Sequence, residues 1–242
     1  MENITRFAII SDIHANKYAL NSFLQYIDKY NQINKILNLG DFVHIGPHPK
    51  EVAEIIFTDK RFINIIGNNE MIVLGKRKHE WQEGIEPHRE WTANQLGEEL
   101  LEKIRKTPIS KELIVGKRKI LMIHSHFYDI SNRSIQDNLL LYEGKSLEEF
   151  LDEYPRDVDI VLVGHSHEQL YLSWKGKKII NPGSISITWK PITSFCVMEI
   201  SDGTLNFEFK TIPYDYSNLK NDFYQKNVTG KEFLIQYFYP FL

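Results

Sequence analysis

The sequence predicts an α/β protein with two sheets, and three features of its pattern indicate this fold class. Residues 7–10 form a continuous apolar run, which is typical of a strand buried on both faces of a sheet. A helical pattern and a second apolar run at 33–39 follow, and the order strand, helix, strand predicts a right-handed βαβ unit. Later in the chain, apolar runs joined by turn residues predict hairpins of a second sheet.

Start signals place two helices in the first quarter of the chain. Asn16 can cap a helix whose apolar stripe includes Leu20, Phe23 and Ile27. Pro49 opens the next helix, because a proline in the first turn has no N–H that would be left unpaired. Both helices therefore fall between predicted strands.

The region after the second helix predicts a third strand and then a long helical stretch. Residues 62–66 form the strand, and residues 71–107 predict mostly helix with a charged, solvated face. His79 and His88 lie in this stretch without a partner at metal-binding spacing. We expect both to be surface residues.

The second half of the chain predicts mainly strands. A hairpin at 112–123, a strand at 159–163 and a hairpin at 168–180 have strand composition and turn residues between their arms. A further hairpin at 193–212 is expected to complete the second sheet.

Three other segments are expected to lie around these strands. Residues 127–145 are polar and irregular, and a loop of this length suggests a lid or a wall of a substrate pocket. A capping-box pattern predicts a short helix over 146–153. Residues 216–242 predict a partly helical, aromatic-rich extension that packs against the body, so we expect 1–242 to form a single domain.

Composition limits the class of protein. With 242 residues, 42% of them hydrophobic, the chain can bury one large core. The formal net charge of -3 gives no basic excess, so a broad nucleic-acid-binding surface is not expected. Cys196 is the single cysteine, which excludes an internal disulfide and a multi-thiolate metal site, and its apolar surroundings favour a small buried hydrophobe. The N-terminus lacks a basic segment before a long apolar core, and no run reaches membrane-spanning length, so we expect a cytoplasmic protein.

Polar side chains follow the predicted strands at the point where each strand ends. Asp12 and His14 come directly after the first run, and Asp41 follows the second. Because the carboxyl ends of parallel strands meet at one edge of a sheet, these residues are expected to be neighbours. Seven residues share this position and together supply two carboxylates, one carboxamide and four imidazoles: Asp12, His14, Asp41, Asn68, His124, His165 and His167.

Taken one at a time, these residues can equally be caps, turn residues or satisfied polar pairs. As a set, they can hold two metal ions about 3.5–4 Å apart, with one carboxylate bridging the ions and open positions for water. Asp41 is the better candidate for the bridge, since it follows the central of the first three strands.

Six short motifs occur in a fixed order, and the first five carry these residues. Residues 11–14, 40–41, 67–70, 124, 164–167 and 181–184 read Ser-Asp-Ile-His, Gly-Asp, Gly-Asn-Asn-Glu, His, Gly-His-Ser-His and Asn-Pro-Gly-Ser. This order resembles that of calcineurin-like metallophosphoesterases, and most closely their small bacterial and archaeal phosphodiesterase branch. The resemblance implies a four-layer α/β/β/α sandwich of two mixed β-sheets flanked by helices, with a dinuclear metal centre.

The resemblance also implies roles for individual positions. It assigns one ion to Asp12, His14 and His167, the other to Asn68, His124 and His165, and Asp41 to both. The catalytic set that it implies is Asp41, Asn68, Asn69 and His124. The implied reaction is hydrolysis of a phosphate ester, in first place a phosphodiester, by a water that both ions activate, without a covalent intermediate. Manganese is the favoured metal, with iron, zinc, nickel or cobalt as alternatives.

One position departs from the family pattern. Many members have a histidine where this chain has Asn69, and that imidazole is thought to bind the phosphate and to protonate the leaving oxygen. An amide can donate a hydrogen bond but cannot transfer a proton near neutral pH. His44 and His126 are candidate substitutes at the substrate, although a surface or supporting structural role is favoured for both.

Two classes of function follow from these observations. The favoured class is a metal-dependent phosphoesterase that acts on a small phosphate ester, such as a nucleotide, a sugar phosphate or a phosphopeptide. The alternative is a catalytically weak or inactive protein of the same fold that acts as a ligand sensor or a protein-binding scaffold. No membrane contact is expected, and the aromatic C-terminus makes a homodimer worth testing.

Overall fold

The structure is a computed structural model, and it describes residues 5–30, 32–77, 86–125, 128–129, 134–135, 152, 154–201 and 204–242. Two five-stranded mixed sheets form an α/β sandwich with helices against the first sheet. The expected α/β class is therefore confirmed. The predicted helix at 146–153 lies outside the described residues, apart from 152, and so does His79.

The first sheet carries the strands of the predicted βαβ unit at its centre. In spatial order the strands are β12 (Thr204–Pro213), β11 (Ile192–Ser201), β1 (Thr5–Ile10), β2 (Lys35–Asn38) and β3 (Phe62–Asn64). Strand β1 is parallel to β2, and β2 is parallel to β3, whereas β11 runs antiparallel to both β1 and β12.

The hairpin at 193–212 therefore belongs to the first sheet, and the expectation that it completes the second sheet was wrong. Phe195 of β11 packs in the core under the helices, whereas Cys196 packs between the two sheets. A strand that is apolar on both faces fits the interior of either sheet, because both sheets border the same central core. Cys196 is fully buried and pairs with Ile9 of β1, so its interpretation as a small buried hydrophobe is confirmed.

The second sheet contains the hairpins predicted on either side of a parallel strand. In spatial order the strands are β4 (Ser110–Val115), β5 (Arg118–Ile123), β8 (Ile160–Leu162), β10 (Lys177–Pro182) and β9 (Gln169–Trp174). Strands β5, β8 and β10 are parallel. Strand β4 pairs antiparallel with β5, and β9 pairs antiparallel with β10. Within the predicted loop at 127–145, the structure describes a small antiparallel pair, β6 (Tyr128–Asp129) and β7 (Ser134–Ile135).

The helices of the described chain pack their apolar sides into the core on the outer face of the first sheet. They are α1 (Lys17–Tyr30), α2 (Pro49–Thr58), α3 (Asn68–Val73), α4 (Glu86–Lys106), α5 (Leu219–Gln225) and α6 (Lys231–Phe238). The predicted cap of α1 is confirmed, because Asn16 Oδ1 accepts hydrogen bonds from the N–H groups of Tyr18 and Ala19 at 3.1 and 3.2 Å. Gly97 interrupts α4 with a φ of 68°. No helix in the described ranges is long and apolar enough to cross a membrane.

Candidate metal centre

The predicted metal ligands meet at one edge of the sandwich. Strands β1 and β2 lead into the loops that carry Asp12, His14 and Asp41, while β5 and β8 lead into those that carry His124 and His165. Five of the seven residues have left-handed backbone conformations: Asp12 (φ 57°), His14 (φ 45°), Asp41 (φ 56°), His165 (φ 67°) and His167 (φ 61°). Each such conformation costs on the order of 1 kcal/mol and persists at positions where the surrounding structure imposes it, which is typical of functional sites.

The first group of ligand atoms comes from Asp12, His14 and His167, here called the first triad. Asp12 Oδ1 lies 3.4 Å from His14 Nε2 and 3.2 Å from His167 Nε2, and the two imidazole nitrogens are 3.2 Å apart. Ligand atoms bound about 2.1 Å from one ion are roughly 3.0–3.4 Å from each other. The three atoms thus have the spacing that a single transition-metal ion requires.

Asp41, His124 and His165 form the second triad, whose ligand atoms lie within 4.8 Å of one another. Asp41 Oδ2 is 3.2 Å from His124 Nε2. Asn68 joins this triad, because its Oδ1 is 2.8 Å from His165 Nδ1. The sequence-based grouping of Asn68 with His124 and His165 therefore corresponds to a single cluster in space.

The two triads are neighbours. Asp12 Oδ1 of the first triad lies 4.0 Å from His124 Nε2 of the second. The backbone N–H of His165 donates a hydrogen bond of 2.9 Å to Asp12 Oδ2, so that Asp12 contacts both groups. Each triad can therefore offer its ligand atoms to a separate ion, and the two ion positions would lie side by side.

Burial of opposite charges sets the protonation of the metal-free centre. Burial alone would raise the pKa values of the Asp12 and Asp41 carboxyl groups. Nearby imidazoles outweigh burial and hold both pKa values well below the usual range, and the main partner is His167 for Asp12 and His124 for Asp41. Against the lowering effect of burial, the Asp41 and Asp12 carboxylates raise the pKa of His124 to about 10. Burial and the charge of His124 lower the pKa of His165 to about 4.

Unsatisfied buried atoms show that the centre fits metal ions. Asp12 Oδ1 and His124 Nε2 are buried and make no hydrogen bond with any described residue. Buried polar atoms are otherwise almost always paired, and an orphaned carboxylate oxygen beside imidazole nitrogens is the donor set of a divalent transition metal. His124 is oriented for this role, since its Nδ1–H donates to the Leu39 carbonyl at 2.8 Å and leaves Nε2 facing Asp41.

Glu70 supports the loop that carries Asp41, a role that the sequence analysis did not assign. Its carboxylate accepts four backbone N–H bonds of 2.7–3.1 Å: from Asp41, Phe42, Val43 and Gly67. Burial and the nearby Asp41 raise the pKa of Glu70 to about 7, whereas the four donors favour its ionised form. The signal in the sequence was its place three residues after Gly67, at the first turn of α3.

The Asn-Pro-Gly-Ser motif also supports the ligand loops rather than lining the triads. Asn181 Nδ2 donates to the Gly164 carbonyl, and Ser184 Oγ donates to the Asp12 carbonyl, both at 2.8 Å. Gly164 allows the two loops to approach, because a Cβ at that position would lie 1.9 Å from Ser11 Oγ.

Asn69 lies beside Asp41. Its backbone N–H donates to Asp41 Oδ1 at 2.8 Å, and its carboxamide Nδ2 donates to Asp41 Oδ2. His44 is 1% exposed and donates from Nδ1 to Asn69 Oδ1 at 2.7 Å. His44 is thus placed behind Asn69 in a supporting position, and His126 lies outside the described residues.

His88 is fully buried, so the expectation that it lies on the surface was wrong. Its ring lies 4.7 Å from that of His44 and stacks 5.6 Å from that of Trp91. The Ile45 N–H donates to His88 Nε2 at 3.1 Å. The charged neighbours of His88 in α4 are typical of an exposed helix face. Its burial could not be predicted from them, because its partners His44 and Ile45 lie more than 40 positions earlier in the chain.

The paired sheets and the two triads at their edge define a class, the calcineurin-like phosphoesterases. This chain belongs to that family, since the model of the calcineurin-like phosphoesterase superfamily domain matches residues 6–203. An uncharacterised protein of Methanocaldococcus jannaschii is 28% identical over 226 residues, which are 86% of this chain and 87% of that protein.

Solved structures share the fold. A metallophosphoesterase from Sphaerobacter thermophilus has a TM-score of 0.71 at 23% identity over 98% of both chains. A hypothetical protein from Pyrococcus horikoshii has a TM-score of 0.76 at 20% identity, with 97% of this chain and 98% of that chain covered. A structure described as a novel archaeal phosphodiesterase has a TM-score of 0.52 at 16% identity, over 85% of this chain and 100% of that chain.

Proposed function

We propose that this protein is a metal-dependent phosphodiesterase that hydrolyses a small phosphate ester with two divalent ions, manganese in first place. The observation that carries this proposal is the contact of the two triads, in which Asp12 Oδ1 lies 4.0 Å from His124 Nε2. Family membership supports a phosphoester as the substrate. The choice of a diester follows the motif resemblance and agrees with an archaeal phosphodiesterase being among proteins of similar fold.

Seven residues would hold the ions: Asp12, His14 and His167 the first, Asn68, His124 and His165 the second, and Asp41 both. When bound, the ions supply the Lewis acidity that makes a water nucleophilic at neutral pH and that stabilises charge on the phosphoryl oxygens. The protein itself provides orientation. Leu39 fixes the tautomer of His124, and Glu70 holds the backbone of Asp41 and its successors.

Asn69 is the chain's own candidate for a contact with the substrate. Its amide donates one hydrogen to Asp41, and the second hydrogen on Nδ2, which has no acceptor among the described residues, can donate to a phosphoryl oxygen. His44 holds the carbonyl side of the amide, which fixes the direction in which the nitrogen points. Asn69 thus stabilises negative charge on the substrate but transfers no proton.

Turnover of chromogenic esters tests the proposal. The wild type is assayed with Mn²⁺ on bis(para-nitrophenyl) phosphate and on para-nitrophenyl phosphate, beside Asp41→Asn and the matched control Asp157→Asn, whose exposed carboxylate pairs with Lys119. We expect diester hydrolysis in the wild type and in Asp157→Asn, and its loss in Asp41→Asn. If the protein binds metal but hydrolyses neither ester, the proposal is wrong and a ligand sensor is favoured. If the protein binds no metal, a protein-binding scaffold is favoured.

A further inference from the structure

The C-terminal segment 214–242 packs against the loop that carries His14. This segment lies beyond the residues matched by the family model, which end at 203. Helices α5 and α6 bury Phe223 and Leu234 in the core on the outer face of the first sheet, and Tyr239, which directly follows α6, lies in the same core. The segment is therefore an integral part of the fold, next to the candidate metal centre.

The backbone at His14 needs support from outside its own loop. His14 and Ala15 have φ values of 45° and 51°, so two consecutive residues with side chains adopt the left-handed conformation. His14 contributes Nε2 to the first triad, and the direction of its side chain depends on this turn. Such a conformation persists only where neighbouring groups fix it.

Donors from two distant segments hold the carbonyl groups of this turn. The N–H of Gly46 donates to the His14 carbonyl at 3.0 Å, and the N–H of His48 donates to the Ala15 carbonyl at 2.9 Å. The Tyr239 hydroxyl donates a second hydrogen bond to the His14 carbonyl at 3.3 Å. Tyr239 thus joins residues 225 positions apart in the chain.

The environment of Tyr239 keeps its hydroxyl in the role of a donor. The side chain is fully buried, and a tyrosine hydroxyl carries its proton at neutral pH, so it can donate to the His14 carbonyl. The Ser186 Oγ lies 3.3 Å from the same hydroxyl and fixes its position from the other side. With the Tyr239 hydrogen directed at the His14 carbonyl, the Ser186 hydroxyl can donate to the Tyr239 oxygen, so the buried hydroxyl is hydrogen-bonded on both sides.

A second contact from the C-terminal segment fixes the loop that carries the donors Gly46 and His48. Asp222 of α5 accepts a hydrogen bond of 2.7 Å from Nε2 of His48, whose backbone holds Ala15. The Tyr18 hydroxyl donates to the same Asp222 oxygen at 2.6 Å. The loop 44–48, which holds the turn from one side, is therefore itself fixed by the C-terminal segment.

We propose that the C-terminal segment holds the turn at His14 in its metal-binding conformation, and that Tyr239 is a positioning residue for the first triad. This inference rests on the metal centre of the proposed function. It predicts a selective effect, since Tyr239 contacts the carbonyl of His14 and the described structure shows no contact from Tyr239 to the second triad.

Single-site variants separate the two triads. His165→Ala leaves the first triad to bind one ion, and His167→Ala leaves the second. Tyr239→Phe, which removes only the hydroxyl, is introduced into each. The matched control is Tyr237→Phe, at a residue of α6 that lies two positions before Tyr239 and is 58% exposed. Mn²⁺ affinity is measured by calorimetric titration, backbone amide exchange at Gly46 is measured by NMR, and urea unfolding verifies that each variant folds.

We expect Tyr239→Phe to weaken Mn²⁺ binding roughly 3- to 10-fold when only the first triad is intact, as the loss of one buried hydrogen bond predicts. The same change should leave the second triad unaffected and should speed exchange of the Gly46 amide, whereas Tyr237→Phe should change neither. Equal Mn²⁺ affinity with and without the hydroxyl, or an equal loss in both triads, would overturn the inference alone. If neither single-site variant binds Mn²⁺, the proposed function fails together with the inference.

Discussion

Asn69 donates two hydrogen bonds to Asp41, one from its backbone N–H to Oδ1 at 2.8 Å and one from its carboxamide to Oδ2. His44 donates to the carbonyl oxygen of the same carboxamide at 2.7 Å. The amide is therefore held on both sides, next to the carboxylate that we assign to both metal ions. A group fixed in this way can bind a phosphoryl oxygen, but it cannot protonate a leaving alkoxide.

The first prediction concerns the leaving group. Without a proton donor at Asn69, we expect kcat/KM of the wild type to fall steeply as the pKa of the leaving alcohol or phenol rises. Asn69→His should flatten this dependence and speed alkyl diesters roughly 10²-fold, because general acid catalysis contributes most to poor leaving groups. A series of aryl and alkyl diesters measures the slope, with Asn69→Ala as the control that removes the amide. A shallow slope in the wild type would show that another group supplies the proton.

The second prediction concerns the protons displaced by metal. Because the pKa of His124 is raised to about 10 in the metal-free protein, its imidazole is protonated at pH 7 and must lose that proton to bind an ion. His165, with a pKa lowered to about 4, is already neutral and should release none. We expect about one proton to be released as the second triad fills, and tighter binding as pH rises from 6 to 8.

Calorimetric titration of Mn²⁺ in buffers of different ionisation enthalpy measures this release. The His167→Ala variant isolates the second triad for the measurement. A heat of binding that does not depend on the buffer would contradict the protonated state of His124.

The third prediction concerns Glu70. In Glu70→Gln, one carboxylate oxygen becomes an NH₂ group that faces two backbone N–H donors, so both hydrogen bonds at that atom are lost. We expect a decrease of about 2–4 kcal/mol in the free energy of unfolding, measured with urea. Glu99→Gln is the matched control, since that carboxylate is 84% exposed in its pair with Lys103 and its removal should leave the free energy of unfolding nearly unchanged. Equal stability of the two variants would mean that Glu70 does not hold the Asp41 loop.

The fourth prediction concerns the stability of the fold in acid. Burial lowers the pKa of His48 to about 4, although the paired Asp222 carboxylate opposes this shift. The unfolded chain takes up the proton near the ordinary pKa of 6.5, so His48 contributes stability above pH 6.5 that is lost as pH falls towards 4. The loss amounts to at most about 3 kcal/mol.

His48→Gln keeps a side-chain N–H that can donate to Asp222 but does not titrate. We therefore expect the wild type to lose more unfolding free energy than the variant between pH 6.5 and pH 4.5. Urea unfolding of both proteins across this range provides the comparison. Parallel pH profiles would show that His48 is not held neutral by the fold.

Local pattern was enough to predict most elements of the sandwich. The buried run at β1, the cap at Asn16 and the proline at the start of α2 each depend on neighbours in the sequence, and all three were predicted. The candidate metal ligands could be predicted for a related reason, since each follows a strand whose end the pattern locates. Hydrophobic periodicity therefore predicts where the candidate centre lies.

Contacts between distant segments could not be predicted from local sequence pattern. The apolar composition of β11 did not show that it pairs with β1, because either sheet could bury such a strand. His88 was assigned to the surface, although its partner Ile45 fixes it in the interior. The contact of Tyr239 with His14 joins the two ends of the chain, and no local signal in either segment predicts it.

The number of metal ions per chain tests the central claim most directly. Elemental analysis of protein purified without chelators and equilibrated with Mn²⁺ is compared for the wild type, His167→Ala and His165→Ala. Two adjacent triads predict about two ions per chain in the wild type and about one in each variant, because each substitution removes a ligand of a different ion. A wild type that binds no ion, or a single ion that both substitutions remove, would contradict a dinuclear centre.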